Sequence, residues 1–271
     1  MPARPRRLVA IATLAVATAA TLYPIVWMLS ASLKPKGATF KTGILDLTGA
    51  SFANYASAFT ERPFFLYLLN SIVASGVSVL VTLVLGSLAG YSFAKFRFRG
   101  QALAWLAVLA SVMIPLEAIV IPLFLQVHAS GWTNSYAGLA LPTAFNVVGI
   151  FVFRQAFLAV PDDYIEAARM DGAGEVRIFW SIVLPMVGPT VVVVAVLTFN
   201  LAWNSYLWPL IVVSDDALRT MPLGMAAFQA GFNTQYGEVM AVSVFGALPT
   251  ALFFLFLQRH FVEGAIASGV K

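Results

Sequence analysis

Apolar residues along this chain come in runs far longer than an amphipathic helix or strand needs. Uncharged stretches cover Leu8–Leu33, Pro63–Ala94, Gly100–Leu116, Ala118–Phe153, Ile178–Ser214 and Val239–Gln258. A helix that crosses a bilayer needs about 20 mainly apolar residues. Ala118–Phe153 is too long for one span at about 1.5 Å per residue. Gly100–Phe153 divides instead at the polar, turn-prone His128–Asn134. The pattern predicts six transmembrane helices, near 9–31, 68–92, 102–125, 136–154, 186–212 and 239–258. The fold class expected is an all-α polytopic membrane protein, with residues 1–271 forming one transmembrane domain.

The N-terminus has features of a signal peptide: Arg4, Arg6 and Arg7 before an apolar run, and small residues at Ala17–Ala20. The run continues through Tyr23, Pro24, Trp27 and Met28 to Leu33. That exceeds the apolar core of a signal peptide, so an uncleaved first span is expected.

Composition agrees with the pattern. Hydrophobic residues make up 60% of the chain and charged residues 10%, against roughly 25% charged in a soluble domain. Mean hydropathy is +0.87. The absence of cysteine excludes disulfides and thiolate metal sites, and two histidines argue against a histidine-rich metal centre. The pI near 9.5 raises the question of nucleic acid. The basic residues sit in short clusters between apolar runs, which is how membrane topology is written, so no nucleic-acid partner is expected.

Those clusters orient the chain. Lys95, Arg97 and Arg99 lie between spans two and three; Arg154, Arg169 and Arg177 lie between spans four and five; Arg259 and Lys271 follow span six. The 126–135 loop has no formal charge, and 214–238 carries Arg219 against Asp215, Asp216 and Glu238. The positive-inside rule places both termini in the cytoplasm. Segments 34–66, 126–135 and 214–238 are then external, and 94–101, 155–185 and the tail are internal. No G-x-x-x-x-G-K-[ST] phosphate loop occurs, so hydrolysis of ATP by that route is excluded for this chain.

The internal loop from Pro161 to Pro185 predicts two short helices. Pro161 suits a first-turn position, and Asp162 and Asp163 complement a helix N-terminus. Tyr164–Met170 contains good helix formers, Gly172 and Gly174 stop the first helix, and a second runs from Glu175 to about Val183. The run Glu166-Ala167-Ala168, then Gly172, then Ile182, Leu184 and Pro185 resembles the E-A-A loop of binding-protein-dependent ABC importers. Asp171-Gly172-Ala173 is similar to the version found in sugar importers.

The resemblance extends along nearly the whole chain. Trp203-Asn204-Ser205-Tyr206-Leu207-Trp208-Pro209-Leu210 resembles the W-N-x-[FY]-L-W-P-L segment of the sugar-importer subgroup, and Arg219–Gly224 its R-T-L-P-x-G stretch. The tail Gln258–Lys271 is similar to Q-R-Y-F-V-R-G-L-T-A-G-A-V-K. It departs at His260, Ala265, Ile266 and Glu263, where a charge reversal puts any contact of the usual arginine in doubt. The chain most resembles the smaller membrane subunit of maltose-type and glycerol-phosphate-type importers.

That resemblance implies the type I ABC importer permease fold. It implies a pathway shared with a second homologous membrane subunit, two cytoplasmic ATPase subunits, an extracytoplasmic solute-binding protein and surrounding membrane lipid as partners. No cofactor is expected on this chain, ATP and Mg belonging to the ATPase, and no catalytic role is expected. Glu166, Ala167, Ala168, Asp171 and Gly172 are the expected ATPase-coupling residues. The implied cargo is a carbohydrate or related solute, with a glycerol-phosphate-type ester as alternative.

Candidate pathway residues come from the chemistry of the spans. Glu117 is the one ionisable residue deep inside a span, between Pro115 and Pro122. A carboxylate there costs roughly 2.5–3.5 kcal/mol on insertion scales, so it should face protein or water. Asn200, Trp203, Asn204 and Tyr206 combine amides with aromatic faces, which suits sugars. Trp208 reads better as part of an interfacial aromatic belt. Phe228, Gln229, Phe232, Asn233 and Tyr236 form a polar, aromatic outer segment, the expected contact with the binding protein. His128 reads as a loop or interface residue.

Two rival classes remain. An intramembrane enzyme would need a Ser–His or Asp–Asp pair or a metal motif such as H-E-x-x-H. A secondary transporter usually has more spans, with inverted repeats.

Overall fold

A computed structural model describes residues 3–230 and 235–269, with only the helical backbone for residues 3–8 and 257–269. Among the described residues the regular structure is helical. Among the described residues, three helices are long and apolar enough to cross a membrane unbroken: Val9–Leu33, Phe64–Lys95 and Tyr236–Phe256. Three bent pairs supply the other spans: Gln101–Val112 with Leu116–Ala129 (101°), Tyr136–Ala144 with Val147–Leu158 (44°), and Glu175–Met186 with Gly188–Trp203 (82°). The helices divide between two compact units, Met1–Phe65 with Gly224–Leu248, and Leu66–Leu223 with Pro249–Lys271.

The first unit contains α1 (Ala3–Leu33), α2 (Ala53–Glu61) and parts of α14 (Met221–Gln229) and α15 (Tyr236–Gly269). The segment after α1 is irregular, so its backbone needs side-chain partners. Lys34 is buried and donates to the carbonyls of Thr42 (3.2 Å) and Gly43 (2.9 Å). The Asn54 amide, also buried, donates to the carbonyls of Ser32 (2.9 Å) and Lys34 (2.8 Å). Lys36 pairs with Glu238 at 2.8 Å.

The second unit holds the remaining elements. Span two is α3 (Phe64–Val81), a π-helical segment at Thr82–Gly86, and α4 (Ser87–Lys95). Span three is α5 (Gln101–Val112) and α6 (Leu116–Ala129); span four is α7 (Tyr136–Ala144) and α8 (Val147–Leu158). The loop helix α9 (Asp162–Met170) follows, then α10 (Glu175–Ile178), a π-helical turn at Phe179–Val183 and α11 (Leu184–Met186). Span five is α12 (Gly188–Trp203), with α13 (Leu207–Val212) after a break and a 3₁₀ turn at Asp216–Leu218 before α14.

Two of the breaks have a local cause in proline. Pro115 has extended backbone and no N–H, and a residue before proline is driven out of the helical region, so the predicted span 102–125 folds over at 113–115. Pro209 cannot donate to the Ser205 carbonyl, so the predicted span 186–212 breaks at Asn204–Tyr206. In span four the freed backbone is repartnered by a side chain from span two. Thr82 donates its hydroxyl to the Ala144 carbonyl (2.8 Å) and accepts from the Asn146 N–H (3.4 Å). Apolar surroundings require such a substitute for water.

A stripe of polar residues runs along span two. Asn70, Ser71, Ser75, Ser78 and Thr82 follow helical spacing and are all buried. Asn70 donates to the carbonyls of Ala217 and Arg219, each at 2.8 Å, and the Ser71 hydroxyl accepts from the Met221 N–H at 2.7 Å. The stripe fastens the segment after α13 to span two.

Candidate functional site

The helix α9 is built by its ends. Asp162 and Asp163 lie in its first turn. At its C-terminus the Ala173 N–H donates to Ala168 and the Gly172 N–H to Arg169, both at 3.0 Å. That is the Schellman pattern with glycine in the left-handed position, φ +81°. Arg169 and Glu175 bridge the turn at 2.7 Å, and the Glu175 carboxylate holds the Arg169 pKa above its ordinary value.

Along α9, Ile165 and Ala168 face inward onto a core containing Phe157, Ile178 and Phe179. Glu166, Ala167, Asp171 and Gly172 are exposed, as are Tyr164 and Met170. The five coupling residues therefore divide. Ala168 secures α9 to its own chain, whereas Glu166, Ala167, Asp171 and Gly172 are exposed on it. The apolar side chains of Met170 and Val176 are also exposed, 88% and 74% accessible.

Where spans two to five meet, the second unit forms an open cavity of about 370 Å³. Its polar lining is Ser78, Ser111, Thr143, Asn146, Thr198 and Ser205. No ionisable side chain lines it among the described residues, and Phe145 is its aromatic wall. A smaller cavity of about 20 Å³ shares Ser78, Thr143 and Ser205 and adds Thr220. The hydroxyls of Thr198 and Thr220 are buried without a hydrogen-bond partner. A buried unpaired hydroxyl is costly, so these two groups are poised for water or a hydroxylated ligand.

None of the five expected pathway residues lines either of these cavities. Glu117 is exposed, in the first turn of α6, where the helix dipole favours a carboxylate. Its neighbour Leu116 lines the cavity instead. Asn200, Asn204 and Tyr206 are exposed, and the Asn204 amide donates to the Asn200 carbonyl at 2.8 Å. Trp203 is buried and stacked on Phe199 (5.5 Å, 21°), so its ring is committed to internal packing. Span five lines the cavity with Thr198, Leu201, Ala202 and Ser205, the adjacent face of the helix. Trp208 is wholly buried, a correction to the expected belt position: its indole seeks and finds an internal partner.

The outer candidates also separate. Phe228 is buried, edge-on to Phe64 (5.3 Å, 87°), because a phenyl ring at the end of an apolar helix packs inward. Gln229 and Tyr236 are exposed, Tyr236 making a T-shaped contact with Phe40 (4.9 Å). Phe232 and Asn233 lie outside the described residues.

The hydroxyl wall was missed in the sequence although its signal was there. Ser71, Ser75, Ser78 and Thr82 recur at helical spacing inside an apolar span, as do Thr198 and Ser205. Uncharged polar residues do not interrupt a hydropathy run.

The family model "Binding-protein-dependent transport system inner membrane component" matches residues 82–262. The arabinooligosaccharides transport system permease protein AraQ of Bacillus subtilis is 34% identical over 254 residues, covering 92% of this chain and 90% of the relative. The lactose transport system permease protein LacG of Rhizobium radiobacter is 33% identical, covering 94% and 93%. The sn-glycerol-3-phosphate transport system permease protein UgpE of Yersinia pestis is 35% identical, covering 77% and 75%. In fold, the chain is similar to one from a bacterial ABC transporter involved in the import of the acidic polysaccharide alginate. The TM-score is 0.84, with 23% identity over 95% of this chain and 97% of that one. The fold is the six-span type I importer permease fold, in a multi-pass protein of the inner membrane. The chain belongs to the inner membrane components of binding-protein-dependent transport systems, as a permease subunit of an ABC importer.

Proposed function

We propose that this permease passes a neutral, hydroxyl-rich solute, a sugar or short oligosaccharide, along a pathway completed by a second homologous membrane subunit. The observation that carries this reading is the cavity wall of hydroxyls and an amide with no charge. Sugar hydroxyls exchange hydrogen bonds with such groups, and Phe145 offers a face for ring C–H. A phosphate or uronate would leave an anion unpaired there, which low-dielectric surroundings penalise heavily. Among the relatives, two carry names of neutral saccharides, arabinooligosaccharides and lactose. The glycerol-phosphate alternative is favoured by the 35% identity of the UgpE relative.

The exposed surface of α9 docks on one of the importer's two cytoplasmic ATPase subunits, which hold ATP and Mg and perform the hydrolysis. This chain performs no bond-breaking chemistry. Gln229, Tyr236 and the segment containing Phe232 and Asn233 meet an extracytoplasmic solute-binding protein. Conformations facing outward and inward exchange as the docked helix moves.

The test is uptake by the complete importer in proteoliposomes, with Thr198→Val and Asn146→Ala variants. Each variant is expected to raise the KM for a neutral sugar by about fivefold or more, the worth of roughly one lost hydrogen bond. Glycerol phosphate is not expected to compete. Uptake of an anionic solute in preference to every neutral sugar offered would defeat the reading.

A further inference from the structure

Two polar anchors sit at opposite ends of the inner half of span two. Lys95 is the last residue of α4, and its side chain is only 7% exposed. Its ammonium donates to the Val160 carbonyl and to Asp162 Oδ1, both at 2.5 Å. Those two residues flank the start of α9. A buried ammonium whose partners lie at one place cannot slide without losing them, whereas apolar packing can. One turn earlier, Tyr91 packs on Phe157, before α9, and on Phe179, after it (5.5 and 5.2 Å). Gly90 brings α8 so close that a Cβ there would lie 2.7 Å from Phe153 Cβ and 2.9 Å from the Arg154 nitrogen.

At the other end Thr82, wholly buried, holds the broken backbone of span four through Ala144 and Asn146. Thr143 and Asn146 line the cavity. Thr82 opens the π-helical segment, a winding frequent at functional sites. The continuous path runs from the start of α9, through Lys95 and α4, to Thr82 and the cavity wall.

We propose that Thr82–Lys95 is a transmission rod of this importer, with Lys95 and Thr82 as its positioning residues. The proposal rests on reading α9 as the ATPase-docking helix. Lys95 fixes the position of α9 on the rod, and Thr82 fixes the break in span four to the rod's far end. A displacement imposed on α9 then alters the cavity rather than dissipating in the loop. Neither residue touches the solute or the ATPase. Each acts through the element it holds.

The experiment uses the complete importer in proteoliposomes, with Lys95→Met, Lys95→Arg, Thr82→Val, Thr82→Ser and the Lys95→Met/Thr82→Val double variant. Three quantities are read: ATPase subunit retained on purification, binding-protein-stimulated ATP hydrolysis, and solute transported per ATP. Lys95→Met and Thr82→Val are expected to retain the ATPase subunit and its hydrolysis. Solute per ATP should fall at least about fivefold, the usual lower range of an allosteric coupling. Lys95→Arg and Thr82→Ser should restore it, and the double variant should be no worse than the poorer single.

Wild-type solute per ATP in both single variants overturns the rod. So does a fall that the conservative variants fail to rescue, or a loss of the ATPase subunit, since either marks a merely structural role. Gly172→Trp separates the two readings. If it leaves ATPase retention and transport intact, the docking assignment fails. If it abolishes both while Lys95→Met stays coupled, only the rod fails.

Discussion

The indole N–H of Trp208 donates to the carbonyl oxygen of Gly138 at 2.9 Å, tying α13 to α7 inside the second unit. Both partners are buried, and Gly138 approaches Trp132 so closely that a Cβ would lie 2.0 Å from its carbonyl oxygen. Trp208→Phe keeps much of the packing but leaves a carbonyl unpaired, an expected cost of about 1–3 kcal/mol. Trp208→Ala adds a cavity and should cost about 3–5 kcal/mol. Thermal unfolding of the purified protein in detergent measures both. Equal melting temperatures for Trp208→Phe and wild type would show that the bond contributes nothing.

Ala167 and Ala168 are adjacent, yet they should respond oppositely to bulk. Ala168 is buried against the chain's own core, so Ala168→Leu should cost about 1–3 kcal/mol through overpacking. Ala167 is exposed, and Ala167→Leu should leave stability within about 0.5 kcal/mol. Ala167→Leu should nevertheless weaken retention of the ATPase subunit. Calorimetry and co-purification on the same samples separate the two effects.

Gly172 has φ +81° and open space around its Cα. Gly172→Ala therefore meets no neighbour and pays only backbone strain, about 1–2 kcal/mol in the local turn. Faster amide exchange at positions 172 and 173, with a melting temperature lower by a few degrees, is the expected result.

The Lys95 hydrogen bond and charge hold the Asp162 pKa below its ordinary 3.8. A depressed pKa stabilises the fold above the ordinary value, and that stabilisation is lost as pH falls through the lower, folded value. Between pH 5 and 8 the link should therefore stay intact. Amide exchange at the start of α9, corrected for intrinsic rate, should be flat over that range, and Asp162→Asn at pH 7 should accelerate it. A titration near neutral pH in the wild-type protein would contradict the pairing.

Glu238 is almost fully buried, whereas its partner Lys36 is half exposed. Lys36→Met strands a buried carboxylate and should cost about 1–3 kcal/mol, less than for a fully buried pair because water still reaches the lysine. Adding Glu238→Gln should recover most of the loss, since an amide is cheaper to leave there than a carboxylate. A double-mutant cycle on melting temperature tests the coupling.

The number of spans and the loop helix were legible in the sequence because each depends on local rules. About twenty apolar residues cross a bilayer, and Asp162 in the first turn and Gly172 past the last turn bound a helix by local chemistry. The place of the breaks in spans three and five was legible in part, since Pro115 and Pro209 are visible, but hydropathy runs straight through them. Burial was not legible. Trp203, Trp208 and Phe228 carry the same polar-aromatic signal as Tyr206 and Tyr236, yet the first three are spent on internal contacts and the last two are exposed. The serines and threonines of spans two and five pass as neutral filler in a linear pattern. Only the packing of four spans brings Ser78, Ser111, Thr143, Thr198 and Ser205 around one cavity. Local composition decides what a segment can be; which face of it meets which neighbour is a property of contacts far apart in the chain, and only the tertiary structure supplies those.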